Sequence, residues 1–182
     1  MIYLFLADGF EEVEAITTVD YLRRAGLSVV TVGIGGKEIR GTHDIYVKAD
    51  KTEEGIKLND ELMGVILPGG IPGTPNLEAS ETVQRAIDFC VENNRLVAAI
   101  CAAPSILGHK NLLYGLDATC YPGVEGECYG ANIRKQRPVC CAKNYITGMS
   151  AGCATQFAAK IIEYFKGEAV AQNVLSDVVW KI

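Results

Sequence analysis

The run Leu96-Val97-Ala98-Ala99-Ile100 is apolar at every position, and it ends on Cys101-Ala102-Ala103-Pro104. A strand with no polar face belongs inside a sheet covered on both sides, which is the situation of a parallel sheet flanked by helices. The small residues that follow allow a sharp turn from strand into helix. Such a turn lifts one side chain out of the sheet toward the free N–H groups of the new helix. Cys101 occupies that position. The helix dipole favours a thiolate there by roughly 0.3–1 kcal/mol, up to about 2 in a partly buried site, which predicts a thiol pKa lowered by about 0.2–1.5 units. The same pattern also fits a cysteine that only fills core, since cysteine is among the most buried residue types.

The rest of the chain alternates in the way a parallel sheet requires. Residues 2–7 read as a strand, 11–25 as a helix stopped by Gly26, and 27–34 as a second strand, a βαβ unit with a right-handed crossover. Residues 37–50 alternate weakly around Gly41-Thr42 and are predicted to form a hairpin on the edge or face of the sheet. Residues 63–67 form the next inner strand, ending in Pro68-Gly69-Gly70-Ile71-Pro72-Gly73, too rich in glycine and proline to continue it. Helices are predicted over 78–93, 102–109, 153–165 and 168–174, and further strands over 118–121 and 139–147. Nothing in the pattern marks a repeat or an internal boundary, so residues 1–182 are expected to form one domain. That length buries roughly 70% of the unfolded surface without covalent staples.

Composition excludes several function classes. A net charge of −5, with 21% charged residues, offers no general attraction for nucleic acid or an anionic membrane. The opening Met-Ile-Tyr-Leu-Phe-Leu-Ala has no basic leader and is too short to span a bilayer, so it reads as a first strand of a cytoplasmic protein. Seven cysteines, an odd number at irregular spacing, point to reduced thiols. None lies in a Cys-x-x-Cys knuckle, and the histidines are only His43 and His109. No metal site is therefore expected, and Cys120, Cys128, Cys140, Cys141 and Cys153 are expected mostly to fill core.

Three strand ends converge on one edge of such a sheet: Ala7-Asp8-Gly9, Leu67-Pro68-Gly69-Gly70 and Ile100-Cys101. Ligands of open parallel sheets bind beyond the strand C-termini. Gly69 and Gly70 offer backbone N–H groups that could hold a developing oxyanion, although a plain tight turn has the same composition. Glu11, Glu12 and Glu14 open a helix, where carboxylates are favoured by the dipole in any case. At about 100° per residue, Ala15, Ile16, Val19, Leu22 and Ala25 mark the buried sector, with Glu11 inside it and Glu14 at its edge. An acid there could stay protonated and share its proton with a thiolate. Periodicity does not choose between Glu11 and Glu14.

A Cys-His hydrolase would also need an imidazole near the thiol. His109 lies about 12 Å of helical rise from Cys101 and cannot reach it within one subunit. His43, in the hairpin, is not excluded by distance, but reads as a surface or interface residue. Tyr121, before Pro122-Gly123, could place a hydroxyl near the site and contact substrate.

Together these segments resemble the ThiJ/PfpI superfamily, in its branch around the parkinsonism-associated protein deglycase. The resemblance runs nearly end to end through Asp8-Gly9-Phe10-Glu11-Glu12-Val13-Glu14, Arg23-Arg24-Ala25-Gly26, Leu67-Pro68-Gly69-Gly70, Ala99-Ile100-Cys101-Ala102-Ala103-Pro104 and the helix from Phe157 to Glu163. It implies a flavodoxin-like three-layer α/β sandwich with a mainly parallel central sheet and a strand-to-helix nucleophile turn, assembled as a homodimer without a cofactor. It implies Cys101 as nucleophile and oxidation-sensitive thiol, Glu14 as its protonated partner, and the amides of Gly69, Gly70 and Ala102 as oxyanion donors. The chain departs from the family at two places. Peptidase members carry histidine directly after the nucleophile, where this chain has Ala102. Several close relatives carry histidine before the proline that follows the next strand, where this chain has Tyr121-Pro122. The resemblance implies an enzyme of small 2-oxoaldehydes such as methylglyoxal, or of proteins glycated by them. The alternative is a redox-sensing stress protein or chaperone whose Cys101 becomes a sulfinate, and a cysteine peptidase ranks behind both.

Overall fold

The computed structural model describes residues 1–180. Strand β1 (Ile2–Leu6) is buried at every residue. Its alternate side chains feed two separate cores: Ile2, Leu4 and Leu6 enter one, Tyr3 and Phe5 the other. That is the pleat of a strand covered on both faces. Helix α1 (Glu12–Arg24) follows and leads to β2 (Val29–Gly33), which pairs with β1 in parallel from Ile2↔Val29 to Leu6↔Gly33.

The predicted hairpin is present, as β3 (Glu38–Arg40) and β4 (Tyr46–Lys48). It forms a two-stranded sheet of its own, while the short β5 (Lys51–Thr52) takes the edge of the main sheet beside β2. Beyond it come β6 (Gly64–Leu67), α2 (Gly73–Ala79), α3 (Glu81–Glu92), β7 (Leu96–Ile100) and α4 (Pro104–His109). The helix predicted over 78–93 is in fact two, broken at Ser80, whose extended backbone and Oγ cap α3 by accepting the Val83 N–H at 3.3 Å.

Strands β8 (Asp117–Ala118) and β9 (Asn132–Ile133) form a second small sheet. The single strand predicted over 139–147 is an antiparallel pair, β10 (Val139–Ala142) and β11 (Tyr145–Gly148), turning through Lys143 at φ +54°. The main sheet runs β10-β11-β7-β6-β1-β2-β5, parallel except for β10. Helices α1, α5 (Ala154–Lys166) and α6 (Glu168–Asp177) cover one face, packing Val19, Leu22, Phe157 and Ile161 on Leu4 and Ala98. Helices α2, α3 and α4 cover the other, with Leu77, Ile87 and Ile106 on Phe5 and Val97. The result is the expected flavodoxin-like sandwich. Because β1 pairs with β2 on one side and β6 on the other, the chain changes direction there, and the C-terminal ends of β1, β6 and β7 open side by side.

Candidate active site

At the end of β7 the chain turns at Cys101, which sits at φ +65°. A non-glycine residue in that region costs roughly 1–3 kcal/mol, so its surroundings must impose it. They do so from both sides. The Cys101 N–H donates to Gly148 O at 2.9 Å, and its carbonyl accepts the Tyr121 N–H at 2.8 Å. The turn leaves the thiol half-buried at the mouth of the three strand ends.

The three acids at the start of α1 have three different tasks. Glu11 is the N-cap, accepting the Glu14 N–H at 2.7 Å. Glu12 turns toward the hairpin, where its carboxylate accepts the His43 N–H at 2.6 Å and bonds His43 Nδ1 at 2.8 Å. Glu14 points into the sheet edge and is 1% exposed. The expectation that Glu11 lies in the buried sector is therefore corrected, and so is the burial of Ile16, which is exposed beside Val13. The buried face of α1 holds Glu14 and Thr18 together with Ala15, Val19 and Leu22, so periodicity counted from apolar residues alone misses the polar half of that face.

Glu14 Oε2 accepts the Gly69 N–H at 2.8 Å, and Oε1 is buried with no N–H or O–H partner. Oε1 is thus the oxygen left to carry a proton, and the carboxyl lies beside the Cys101 side chain, both of them flanking Gly69. Burial raises the Glu14 pKa from its ordinary 4.5 to about 7, against the opposing pull of Cys101 and the Gly69 N–H. The Cys101 thiol is also pushed up, first by burial and then by the Glu14 charge, while the N–H groups of Ala102 and Gly70 pull it down. The expected lowering by a helix terminus is overturned, because desolvation exceeds what a six-residue helix can supply. Because each group shifts the other, the two titrate as a pair.

Two of the three expected oxyanion donors face the sulfur, namely Gly70 and Ala102. Gly69 does not have a free N–H, since Glu14 already occupies it. Its contribution is the space between the reactive groups: a Cβ on Gly69 would lie 2.6 Å from Cys101 Cβ and 2.8 Å from Glu14 Oε2. Gly70, at φ +100°, lets the loop pass against the backbone of Gly9 and Glu11. Tyr121 reaches the site through its backbone, and its ring is exposed.

Neither histidine joins Cys101. His109 is held between Glu78 at 2.5 Å and Glu127 at 2.9 Å. His43 is raised in pKa by its bond to Glu12. Burial would raise Glu12, but the His43 donors outweigh it and hold that carboxyl below its ordinary range. The Glu12–His43 link escaped sequence reading, for it joins residues 31 apart, and only the adjacent Gly41, where a side chain would strike Glu12, hints at it. Ligand atoms of Glu11, Glu12 and His43 lie within 4.8 Å of one another, a spacing a cation could use. These atoms are already committed to each other and to the cap of α1. Replacing His43 by alanine is accordingly expected to leave the reactivity of Cys101 largely intact; a loss beyond about a hundredfold, the low end for removing a general acid–base group, would bring the imidazole into its chemistry.

A family model described as the DJ-1/PfpI family matches residues 1–164. The chain belongs to the DJ-1/PfpI family. Its relatives include the zebrafish (Danio rerio) Parkinson disease protein 7 homolog, 32% identical over 181 residues, spanning 98% of this chain and 96% of that protein. The putative cysteine protease YraA of Bacillus subtilis is 32% identical over 149 residues, 80% of this chain and 86% of that one. Among solved structures, oxidised Toxoplasma gondii DJ-1 superposes with a TM-score of 0.93 at 28% identity, covering 100% of this chain and 98% of its own. Among the described residues of this DJ-1/PfpI member, no helix is long and apolar enough to cross a membrane.

Proposed function

We propose that this protein is a cysteine-dependent, cofactor-independent enzyme acting on 2-oxoaldehydes such as methylglyoxal, or on their adducts with proteins, as a homodimer in the cytoplasm. The observation that carries this reading is the buried Glu14 carboxyl, with a pKa near 7 and one unpartnered oxygen, beside a thiol at a strained turn. A carboxyl tuned to neutral pH can take and return a proton within one cycle.

In this mechanism Cys101 gives its proton to Glu14 and the thiolate attacks the aldehyde carbon, forming a C–S bond. The carbonyl oxygen takes up a proton to give a hemithioacetal, with the Gly70 and Ala102 N–H groups flanking the sulfur. Glu14, now a carboxylate, removes the proton from the former aldehyde carbon, and the electron pair moves through the enediol toward the neighbouring carbonyl. Proton return to that second carbon leaves a thioester, which water cleaves to a 2-hydroxy acid and free Cys101. The balance is one aldehyde and one water to one acid. Tyr121, whose backbone N–H is held by the Cys101 carbonyl, is the proposed substrate contact. A Cys-His peptidase reading lacks its imidazole, since the hydrogen-bond partners of His43 and His109 do not include Cys101.

One observation favours a second reading. The Gly70 and Ala102 donors converge on the sulfur itself, and a protonated Glu14 beside them would equally hold the oxygens of a cysteine sulfinate, the state of a redox sensor. Steady formation of lactate from methylglyoxal by pure protein, abolished in Cys101→Ser, is the expected result for the enzyme. No turnover in the wild type, with selective oxidation of Cys101 by peroxide, would overturn that reading in favour of the sensor. Limited alkylation with iodoacetamide near pH 7 is expected to modify Cys101 first, and a lead by Cys128 or Cys140 would refute the site.

A further inference from the structure

His109 does not bond Cys101, but it ends α4, the helix that follows that residue. Its two ring nitrogens each meet a carboxylate from a different segment. Nδ1 lies 2.5 Å from Glu78 of α2, and Nε2 lies 2.9 Å from Glu127, in the loop that follows Tyr121. A neutral imidazole carries one N–H and one lone pair, so it satisfies one of these carboxylates and turns a lone pair on the other. Only the imidazolium donates to both. Tyr129 closes the same corner, with its ring 5.0 Å from the imidazole and its hydroxyl donating to Glu127 at 3.4 Å. The neighbouring charges are engaged elsewhere: Lys110 with Asp88 of α3 at 2.8 Å, and Glu125 with the Gly123 N–H at 2.7 Å and Lys135 at 3.4 Å.

From Glu127 an unbroken run of backbone hydrogen bonds leads to the turn at Cys101. The Glu127 N–H donates to Val124 O at 3.0 Å, the Val124 N–H to Tyr121 O at 3.0 Å, and the Tyr121 N–H to Cys101 O at 2.8 Å. The last of these is one of the two backbone bonds that hold Cys101 at φ +65°. The loop lies directly on α4, where a Cβ on Gly108 would fall 2.2 Å from Glu127 O. One side chain therefore ties α2, α4 and the loop together at a point three hydrogen bonds from the candidate nucleophile.

We propose that His109 is a positioning residue: its imidazolium clasps the Tyr121–Glu127 loop to α2 and α4, and loss of its proton loosens the loop's hold on the Cys101 carbonyl. The clasp acts on the backbone of Cys101 and stands whichever function the thiol serves. Glu78 and Glu127 raise the His109 pKa above its ordinary 6.5, so both ion pairs are complete below that value and are lost as pH rises through the raised one. In the neutral form the remaining proton stays on Nδ1, where the contact is shorter and the carboxylate less exposed, 35% for Glu78 against 56% for Glu127. Glu127 is then the partner that lets go, and the run of hydrogen bonds slackens from that end.

Amide hydrogen exchange at Tyr121 reads the clasp, expressed as protection relative to an unstructured peptide so that the intrinsic effect of pH on exchange is removed. In the wild type, protection is expected to fall at least about fivefold as pH rises through the His109 titration, the equivalent of one exposed ion pair at the upper end of its range. Imidazole nitrogen chemical shifts are expected to place the midpoint of that fall on His109 and not on His43. His109→Arg, a cation at every working pH, is expected to keep the protection without the fall. His109→Ala is expected to show low protection at every pH. Should the alanine variant fail to fold, Glu127→Gln, which keeps an acceptor and removes the charge, is expected to lower protection where the wild-type clasp is closed. The proposal is overturned if wild-type protection of Tyr121 is flat across the His109 titration, or if the fall persists in His109→Ala.

Discussion

Glu14→Gln is expected to lower methylglyoxal turnover by about 10²–10⁴-fold, the range for a group that moves protons in the transition state. The amide keeps the geometry: its oxygen can accept the Gly69 N–H, and its NH₂ can donate to the Cys101 sulfur. The amide cannot take the Cys101 proton, so turnover should be lost while the fold, checked by circular dichroism, is kept. The same variant also tests the buried carboxyl through stability. The folded pKa of Glu14, about 7, lies above the unfolded value of 4.5, so the native state binds the extra proton within that window. Wild-type stability should fall as pH rises from about 4.5 to about 7, by on the order of 3 kcal/mol for a shift of this size. The glutamine variant should lack that slope and be the more stable protein above neutrality. Parallel pH profiles for the two proteins, or a variant that turns over like its parent, would remove Glu14 from the role.

Gly69→Ala should separate the reactive pair without touching either member. Gly69 has no positive φ, so an alanine there is not strained by its backbone; the added methyl is opposed by Cys101 Cβ at 2.6 Å, Glu14 Oε2 at 2.8 Å and Ile100 O at 3.0 Å. Overpacking of this kind costs about 1–3 kcal/mol. Because the methyl drives Cys101 and Glu14 apart and disturbs the N–H that holds Oε2, turnover is expected to fall at least about a hundredfold, as in the direct loss of the acid–base. Denaturant midpoint and turnover, measured together, check this. A variant with full activity would mean that the Cys101–Glu14 contact is not needed for the chemistry.

The sheet and its order of elements were legible in the chain because inner strands such as Leu96–Ile100 have no polar face, and helices such as α5 carry an apolar stripe. Those are local signals, written in consecutive residues. For the same reason the convergence of Ala7-Asp8-Gly9, Gly69-Gly70 and Cys101 could be read from strand ends alone. The family resemblance, which rests on motifs spread along the whole chain, named Glu14 where periodicity could not.

What tertiary structure alone decided is which partner each group has. Three acids within four residues separate into a cap, an ion-pair partner for His43 and a buried carboxyl against Gly69, because successive helical positions face different segments of the fold. Gly69 was expected to donate to a substrate and instead donates to Glu14, since the carboxyl arrives from a residue 55 positions away. The thiol expected to be acidic by its helix terminus is governed by burial, a property of everything packed around it. Sequence by itself determined the elements and the edge on which the chemistry gathers, since hydrophobic period and chain connectivity act locally. The protons, donors and thiol contacts at that edge were decided by distances of a few ångströms between segments far apart in the chain, which no local pattern encodes.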